Sequence, residues 1–302
     1  MSWAIAFVTM ERPVAAQRFV RSARLMFPDV PIYVADQSRA LGPMAEFYEA
    51  ERVTVVRMPF DAGLSASRNA LVAAMDVDYF ALCDDDFILG PATTFTSAIS
   101  VLEQDEALGV VGGMLHDYDG AAERIRNWEM FFDHDERNGR FTATPIYNYP
   151  PIARRLAGET VYLCDAVMNF AVFRKAMFSS TICWEERIKI NGEHEDFYLN
   201  LKKHSHYRVA YLPALAALHW HVRQHGDYKS LRLRDEGWRE FMRKWELSSH
   251  LEIGTGGRAL DGSPVDTWFF DRAEGARSSL TRLRVFPTCS SAVLANGMNH
   301  AF

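Results

Sequence analysis

The chain has 302 residues, enough for one large α/β domain or for one domain with a smaller appendage. Hydrophobic residues make up 48% of it and charged residues 24%, which excludes a largely disordered protein. A net charge of −6 without a long basic run argues against nucleic acid as a partner, and four scattered cysteines without a Cys-x-x-Cys pair argue against a zinc ribbon or a disulfide framework.

The amino-terminal segment predicts neither a signal peptide nor a membrane span. It lacks the basic start and the cleavage site of a signal peptide. Glu11 and Arg12 interrupt its apolar run too early for a transmembrane helix. We therefore expect a cytoplasmic protein, or a module of a longer chain, without a transmembrane segment and with peripheral membrane contact left open.

Strands and helices alternate in the first third of the chain. The apolar run 4–10 predicts a strand buried on both faces, and Pro13 predicts the start of an amphipathic helix. Further strands are predicted at 32–35, 53–58 and 79–83 and from residue 110, with helices over 66–75 and 93–106. This alternation predicts an α/β fold with a mostly parallel sheet and helices on both faces.

The remainder of the chain has a less regular pattern. Residues 117–159 mix aromatic, proline and charged residues and predict a loop-rich region. Strand-like runs return at 161–173 and 208–218. A charged helix is predicted near 229–247, followed by a tail rich in glycine and serine.

Three consecutive aspartates, Asp84, Asp85 and Asp86, follow the predicted strand at 79–83. Open α/β sheets bind ligands at the carboxyl ends of their strands. Adjacent carboxylates repel one another unless a cation neutralises them, and Mg²⁺ or Mn²⁺ takes carboxylate oxygens together with phosphate oxygens. The run therefore favours a metal site, with a solvated acidic turn or a helix cap as the alternative.

The run 63–69 begins the preceding helix. Gly63 and the serines, among them Ser65, offer backbone N–H groups and hydroxyls to an anion. Arg68 adds a planar guanidinium suited to a phosphate or a base carbonyl. Alone the run is typical of an ordinary helix cap. Beside the aspartates it becomes a candidate anion site.

A second acidic run opens a predicted helix with Phe197 and Leu201 on one face. Glu193, Glu195 and Asp196 surround a histidine there. Acidic neighbours raise the pKa of one carboxylate toward the range of a general base. Acids at a helix start also serve the helix dipole alone, and this alternative stays open.

Two histidines, His219 and His221, follow the apolar run 211–218. Residues two apart in a strand face the same side, so both are candidate metal ligands. A structural role is the commoner one for a histidine at a strand end. The sequence has no His-Glu-x-x-His, so the zinc-protease pattern is absent.

These motifs together resemble the GT-A glycosyltransferases. The runs 63–71 and 82–87 carry the resemblance, and Thr9-x-x-Arg12-Pro13 and the run 192–197 agree with it. The chain is most similar to the β1,4-N-acetylgalactosaminyltransferase-like group. The resemblance implies a Rossmann-like GT-A domain over 1–247, with a nucleotide-sugar-binding half at 1–115, an acceptor and catalytic half at 116–247 that forms an acceptor-side subregion, and a C-terminal extension at 248–302.

The resemblance also implies roles for individual residues. It assigns Thr9, Asp36 and Arg68 to the nucleotide. The expected donor site also includes the motif residues Arg12, Gly63, Ser65, Asp84 and Asp85. The metal, Mn²⁺ or Mg²⁺, is assigned to Asp84, Asp86 and one of His219 and His221. Asp196 is expected to be the catalytic base, with Glu195 as its nearest rival.

We therefore expect an inverting, metal-dependent glycosyltransferase of polysaccharide biosynthesis. It would move GalNAc, GlcNAc or Gal from a UDP-sugar donor to a hydroxyl of a glycan or glycoconjugate acceptor. A sugar nucleotidyltransferase is an alternative, disfavoured because the run 8–13 has no glycine. A non-catalytic sugar-binding module is another, disfavoured by the complete set of acids.

Overall fold

A sheet of eleven strands crosses the protein in a computed structural model that describes residues 1–118, 123–126, 128–220, 230–253 and 256–259. Four further strands form a second sheet. In chain order the strands are β1 (Trp3–Thr9), β2 (Ile32–Asp36), β3 (Val53–Arg57), β4 (Tyr79–Asp84), β5 (Phe87–Ile88), β6 (Leu108–Tyr118), β7 (Glu123–Arg126), β8 (Met130–Asp135), β9 (Arg140–Pro145), β10 (Ala153–Leu156), β11 (Glu159–Cys164), β12 (Ala171–Arg174), β13 (Arg208–Trp220), β14 (Ser249–Glu252) and β15 (Gly256–Ala259).

Six described helices accompany the strands. They are α1 (Pro13–Met26), α2 (Met44–Ala50), α3 (Leu64–Ala74), α4 (Phe95–Gln104), α5 (Glu193–His204) and α6 (Glu236–Lys244). Short 3-10 turns lie at Ile146–Asn148 and Lys175–Met177. Among these helices, none combines the length and the apolar character needed to span a bilayer.

The large sheet has the order β10-β11-β13-β6-β12-β4-β1-β2-β3, with β5 paired to β13 and β7 to β6. The strands β3, β2, β1 and β4 are parallel, as are β6 and β13. β12 lies antiparallel between β4 and β6 and joins the two parallel groups. The predicted α/β fold with a parallel sheet between helices is confirmed.

The side chains of β1 explain why this strand is continuously apolar. Ala4 and Ala6 belong to one hydrophobic cluster, with residues of α3 and α5. Ile5 and Phe7 belong to a second cluster on the other face, with residues of α1 and α4. Phe7 meets Phe19 of α1 at a ring-centroid distance of 4.7 Å. Both faces of the sheet are therefore buried, which leaves the strand ends as the place for polar groups.

The prediction of a loop-rich region at 117–159 was wrong. β8 and β9 form an antiparallel pair there, β14 joins β9 in parallel, and β15 completes the second sheet. Phe132 and Phe141 meet at 4.9 Å between ring centroids and supply part of its core. The sheet thus joins residues on both sides of position 247, and the domain boundaries stay a prediction.

Two other elements differ from their predicted extents. The run 161–173 divides into β11 and β12. Asn169 lies in the segment between these two strands and lines the cleft described below. The helix predicted near 229–247 is interrupted at 233–235 within the described residues, before α6 begins.

Helix α6 packs closely on the turn that precedes α5. A Cβ on Gly237 would lie 1.9 Å from the carbonyl oxygen of Ile190 and 2.3 Å from that of Asn191. Gly192, with φ of +96°, ends this turn in the left-handed region and lies against Trp238. The absence of a side chain at Gly237 therefore allows α6 to lie directly against the turn that precedes α5.

We expect Gly237→Ala to destabilise the protein by about 1–3 kcal/mol, the range for overpacking a close contact. The backbone at Ile190 has to shift because no flexible side chain can give way. Urea unfolding measures the effect. Arg239→Ala on the exposed side of the same helix is the control and should change stability by no more than about 0.5 kcal/mol. Equal stability of the two variants would contradict the packing argument.

Candidate active site

A cleft of about 260 Å³ opens at the carboxyl ends of β1 and β4. Thr9 ends β1 and Asp84 ends β4, and both line the cleft. On the opposite side it is lined by the start of α5. Open α/β sheets place ligands at this edge because the strand ends leave room between the connecting loops.

The three aspartates have different hydrogen-bond partners. Asp85 is buried, and it accepts hydrogen bonds from the Thr9 hydroxyl at 2.7 Å and from Arg12 Nη1 at 2.6 Å. Burial raises the pKa of Asp85 to about 7, although the Arg12 charge opposes this. Asp86 accepts from Arg12 Nη2 at 2.8 Å, and Asp84 accepts from the Asn169 amide at 3.1 Å. All three aspartates line the cleft, and Asp85 is the one held by both Thr9 and Arg12.

His219 joins the aspartates because β13 pairs with both β5 and β6. Its partners in register are Phe87 and Asp117. Nδ1 lies 2.7 Å from Asp117 Oδ1, and Nε2 lies 3.4 Å from Asp86 Oδ1. Burial favours the neutral ring, but hydrogen bonds with the two carboxylates outweigh it and raise the pKa of His219. The other predicted ligand, His221, lies outside the described residues.

The donor groups fit a divalent cation that arrives with a phosphate ligand. Within the described ranges, no three His, Cys, Asp or Glu side chains converge as a preformed metal site. Asp86 and His219 form a pair beside Asp84, and Mg²⁺-type sites often take one or two protein ligands and fill the rest with phosphate and water. The contact of Asp117 with His219 is the kind that orients a ligating imidazole.

The start of α3 is closed by protein groups. The Gly63 N–H donates to Gln37 Oε1 at 2.8 Å, and the Leu64 N–H donates to the Lys189 carbonyl at 2.7 Å. Ser65 is fully buried and donates to the Ile188 carbonyl. Of the two residues predicted to bind the donor here, Gly63 lines the cleft and Ser65 does not. These groups have protein partners, and an anion site built from Ser65 and the first N–H groups of this helix stays a prediction.

Two further residues assigned to the donor lie beneath the cleft surface. Asp36 is buried and accepts hydrogen bonds from the Tyr48 hydroxyl at 3.1 Å and from the Ser38 N–H at 2.8 Å. Arg68 is 1% exposed and lies 3.7 Å from Glu193 Oε1. Neither side chain lines the cleft, and the donor contact expected for Asp36 and Arg68 stays a prediction.

The acidic run of α5 is divided between the cleft and the core. Glu193 and His194 line the cleft. Asp196 is buried one turn deeper, where it accepts hydrogen bonds from Lys244 Nζ at 2.9 Å and Trp245 Nε1 at 2.8 Å. Glu195 is also buried, and burial raises its pKa well above the usual range. Both carboxylates are covered by protein and neither lines the cleft, and the base expected at Asp196 or Glu195 stays a prediction.

Glu193 has the electrostatic surroundings of an ionised carboxylate. Its Oε1 lies 3.4 Å from His194 Nε2 and 3.7 Å from Arg68 Nη2. Burial disfavours the charged form, but the charges of His194 and Arg68 outweigh it and lower the pKa of Glu193. Burial lowers the pKa of His194 itself. The ring of Trp128 lies over His194 at 5.6 Å between centroids.

Several residues of the cleft carry no signal in the sequence. Arg234 donates to both carboxylate oxygens of Asp61 at 2.9 and 2.7 Å, and Lys189 donates to the Asp61 carbonyl at 2.8 Å. Arg126 binds Asp117 at 2.9 Å. Asp61 also has a positive φ of 58°. Such backbone strain clusters at functional sites, but it becomes visible only in the structure.

The sequence is similar to known glycosyltransferases. The model of the family described as "Glycosyl transferase family 2" matches residues 7–179. Beta-1,4 N-acetylgalactosaminyltransferase 2 of Mus musculus is 34% identical over 109 residues, which are 36% of this chain and 20% of the mouse protein. The chain therefore spans about one fifth of the length of that relative.

Solved structures share the fold at low identity. GalNAc-T7 with UDP, GalNAc and Mn²⁺ has a TM-score of 0.60 and 12% identity over 82% of this chain and 48% of its own. Residues 1–349 of S. aureus TarS in complex with UDP have a TM-score of 0.53 and 15% identity over 81% of this chain and 64% of their own. The family match extends over more than half of the sequence. This chain therefore belongs to glycosyl transferase family 2 and has the GT-A fold of its relatives.

Proposed function

We propose that the protein is a metal-dependent, inverting glycosyltransferase that moves a sugar from a UDP-sugar to a hydroxyl of a glycan acceptor. The observation that carries the proposal is one cleft with two groups of side chains. Asp86 and His219 lie at the strand ends, and Glu193 and His194 lie at the start of α5. The first group suits a diphosphate with its cation, and the second suits a hydroxyl that loses its proton.

The strand-end group would hold the leaving diphosphate. Asp84, Asp86 and His219 would bind Mn²⁺ or Mg²⁺, which supplies Lewis-acid stabilisation of the phosphate oxygens when bound. Arg12 and Arg126 line the same part of the cleft and add fixed positive charge. Such preorganised charge acts most strongly where the substrate excludes water, because no solvent has to reorient as the bond to the sugar breaks.

Glu193 is the general base in this proposal. Its ionised carboxylate takes the proton of the acceptor hydroxyl while the acceptor oxygen bonds to the anomeric carbon. The diphosphate leaves from the opposite side with the bonding electron pair, through an oxocarbenium-like transition state. One displacement of this kind inverts the anomeric centre. His194 lies 3.4 Å from the carboxylate and helps to orient it.

The nature of the donor rests on the relatives. The mouse relative is named for N-acetylgalactosamine transfer, and the two solved structures hold UDP. We therefore place UDP-GalNAc first among donors, with UDP-GlcNAc and UDP-galactose next. Release of UDP from each donor, with and without a panel of glycan acceptors, tests the function. Release that depends on an acceptor supports transfer. Diphosphate release from UTP and a sugar 1-phosphate would instead indicate a nucleotidyltransferase, and no release would indicate a binding module.

Glu193→Gln should lower kcat by roughly 10²–10⁴-fold, because general-base catalysis contributes about this much. Binding of UDP with Mn²⁺ should be nearly unchanged, since the amide keeps the size of the side chain. The matched control is Asp196→Asn, the same chemical change three residues along the same helix. Steady-state kinetics on the folded fraction should leave kcat of this control within a few-fold of the parent. The reverse result would return the base to Asp196.

UDP should bind tightly only with a divalent ion. Calorimetry in Mn²⁺ and in EDTA measures this affinity. His219→Ala should bind UDP in Mn²⁺ at least about tenfold more weakly, because losing even a residue that only orients a metal ligand lowers metal affinity by about this factor. Asp86→Asn should behave similarly. Asp85→Asn is the control from the same run, since Asp85 binds Thr9 and Arg12 instead of facing the ion. Equal affinity in EDTA and Mn²⁺ would remove the metal from the proposal.

A further inference from the structure

Arg68 is the largest fully buried side chain of the described residues, and its charge has little compensation. Its two terminal nitrogens have no hydrogen-bond partner within the described part of the chain. The ring of Trp184 lies 5.8 Å from the guanidinium carbon. A guanidinium stays charged even when it is buried, and a buried charge without compensation costs several kcal/mol. Packing alone therefore does not explain why a charged arginine is buried at this position.

The group nearest to this charge is a carboxylate of the candidate site. Glu193 Oε1 lies 3.7 Å from Arg68 Nη2, and both side chains are almost completely shielded from water. Ionic strength screens such a pair far less than an exposed one. Arg68 comes from α3 and Glu193 from the first turn of α5, so the contact joins two elements that are far apart in the sequence.

The charge of protonated His194 lowers the pKa of Glu193 more than that of Arg68 does, but His194 can lose its charge and Arg68 does not. His194 and Glu195 lie on the same helix as Glu193, and Arg232 lies on the segment before α6. Burial lowers the pKa of His194, so this ring loses its charge at a lower pH than an ordinary histidine, and burial raises the pKa of Glu195. Arg232 is exposed to solvent. Arg68 is thus the buried, permanent cation that faces this carboxylate.

We infer that Arg68 is a positioning residue that acts through Glu193: its buried charge keeps the carboxylate in the cleft ionised and therefore able to accept a proton from the acceptor hydroxyl. The inference rests on the proposed role of Glu193. It replaces the donor contact expected for Arg68, because the guanidinium lies behind Glu193 and does not line the cleft. Donor affinity and proton acceptance should consequently respond differently to a change at this position.

The test is the pH dependence of kcat/KM in Arg68→Met and Arg68→Lys. An opposite charge within about 4–6 Å lowers the pKa of a carboxyl group by about 1–3 units. Removing the charge in Arg68→Met should therefore move the acid limb of the profile up by about 1–3 pH units, with the Kd for UDP and Mn²⁺ unchanged. Arg68→Lys keeps the charge and should keep the limb near that of the parent. An unmoved limb, or a loss of UDP affinity alone, would overturn the inference.

A second measurement does not need activity. The side-chain carboxyl carbon of Glu193 can be titrated by NMR in protein labelled at glutamate, with Glu193→Gln identifying the signal. A midpoint raised in Arg68→Met supports the link even if no transfer is found, in which case only the proposed function fails. An unchanged midpoint overturns the link while transfer stands. If Arg68→Met does not fold, Arg68→Gln takes its place. Failure of both neutral variants to fold would assign Arg68 to folding and overturn the inference.

Discussion

The pairing register of β13 is the constraint on which the candidate site depends, because it decides which residue of this long strand meets the aspartate run. His219 lies opposite Phe87 and Asp117, and a slip by one residue would turn its ring to the other face of the sheet. β13 shifts its register against β6 part-way along. Gly113 makes room for this irregularity, since a Cβ there would lie 2.6 Å from Leu215. Gly113, which does not itself line the cleft, therefore helps to set its geometry.

The first third of the fold could be predicted because its signals are local. Each parallel strand is buried on both faces, so its apolar run is visible without knowledge of its partners, as in β1. The second sheet could not be predicted in the same way. Its strands are short and mixed in pattern, and β9 finds its partner β14 more than one hundred residues further along the chain. Pairing at such distance, rather than intrinsic preference, makes these segments strands.

The candidate site was predictable only in part, for a similar reason. The strand-end aspartates and His219 lie where the motifs and the family resemblance indicate. Which of the four polar residues that open α5 line the cleft depends on how α5 is packed, and the close contact of Gly237 with Ile190 is part of that packing. Ser65 and Arg68 suggested a ligand site, but in the structure both contact residues that are distant in the sequence. Ile188 accepts the Ser65 hydroxyl, and Glu193 faces Arg68.

The parallel pairing of β14 with β9 has a consequence for the order in which the protein matures on the ribosome. The ribosome releases the chain from its amino terminus, and segments whose contacts are local in sequence fold first. The parallel strands β1 to β4 are complete within the first 84 residues, long before β14 exists. The support of α5 is different, because α6 and β14 follow it in the sequence. We therefore expect a nascent chain to pair β1 to β4 early, to complete the strand-end group only when β13 brings in His219, and to add α6 and β14 beside α5 last.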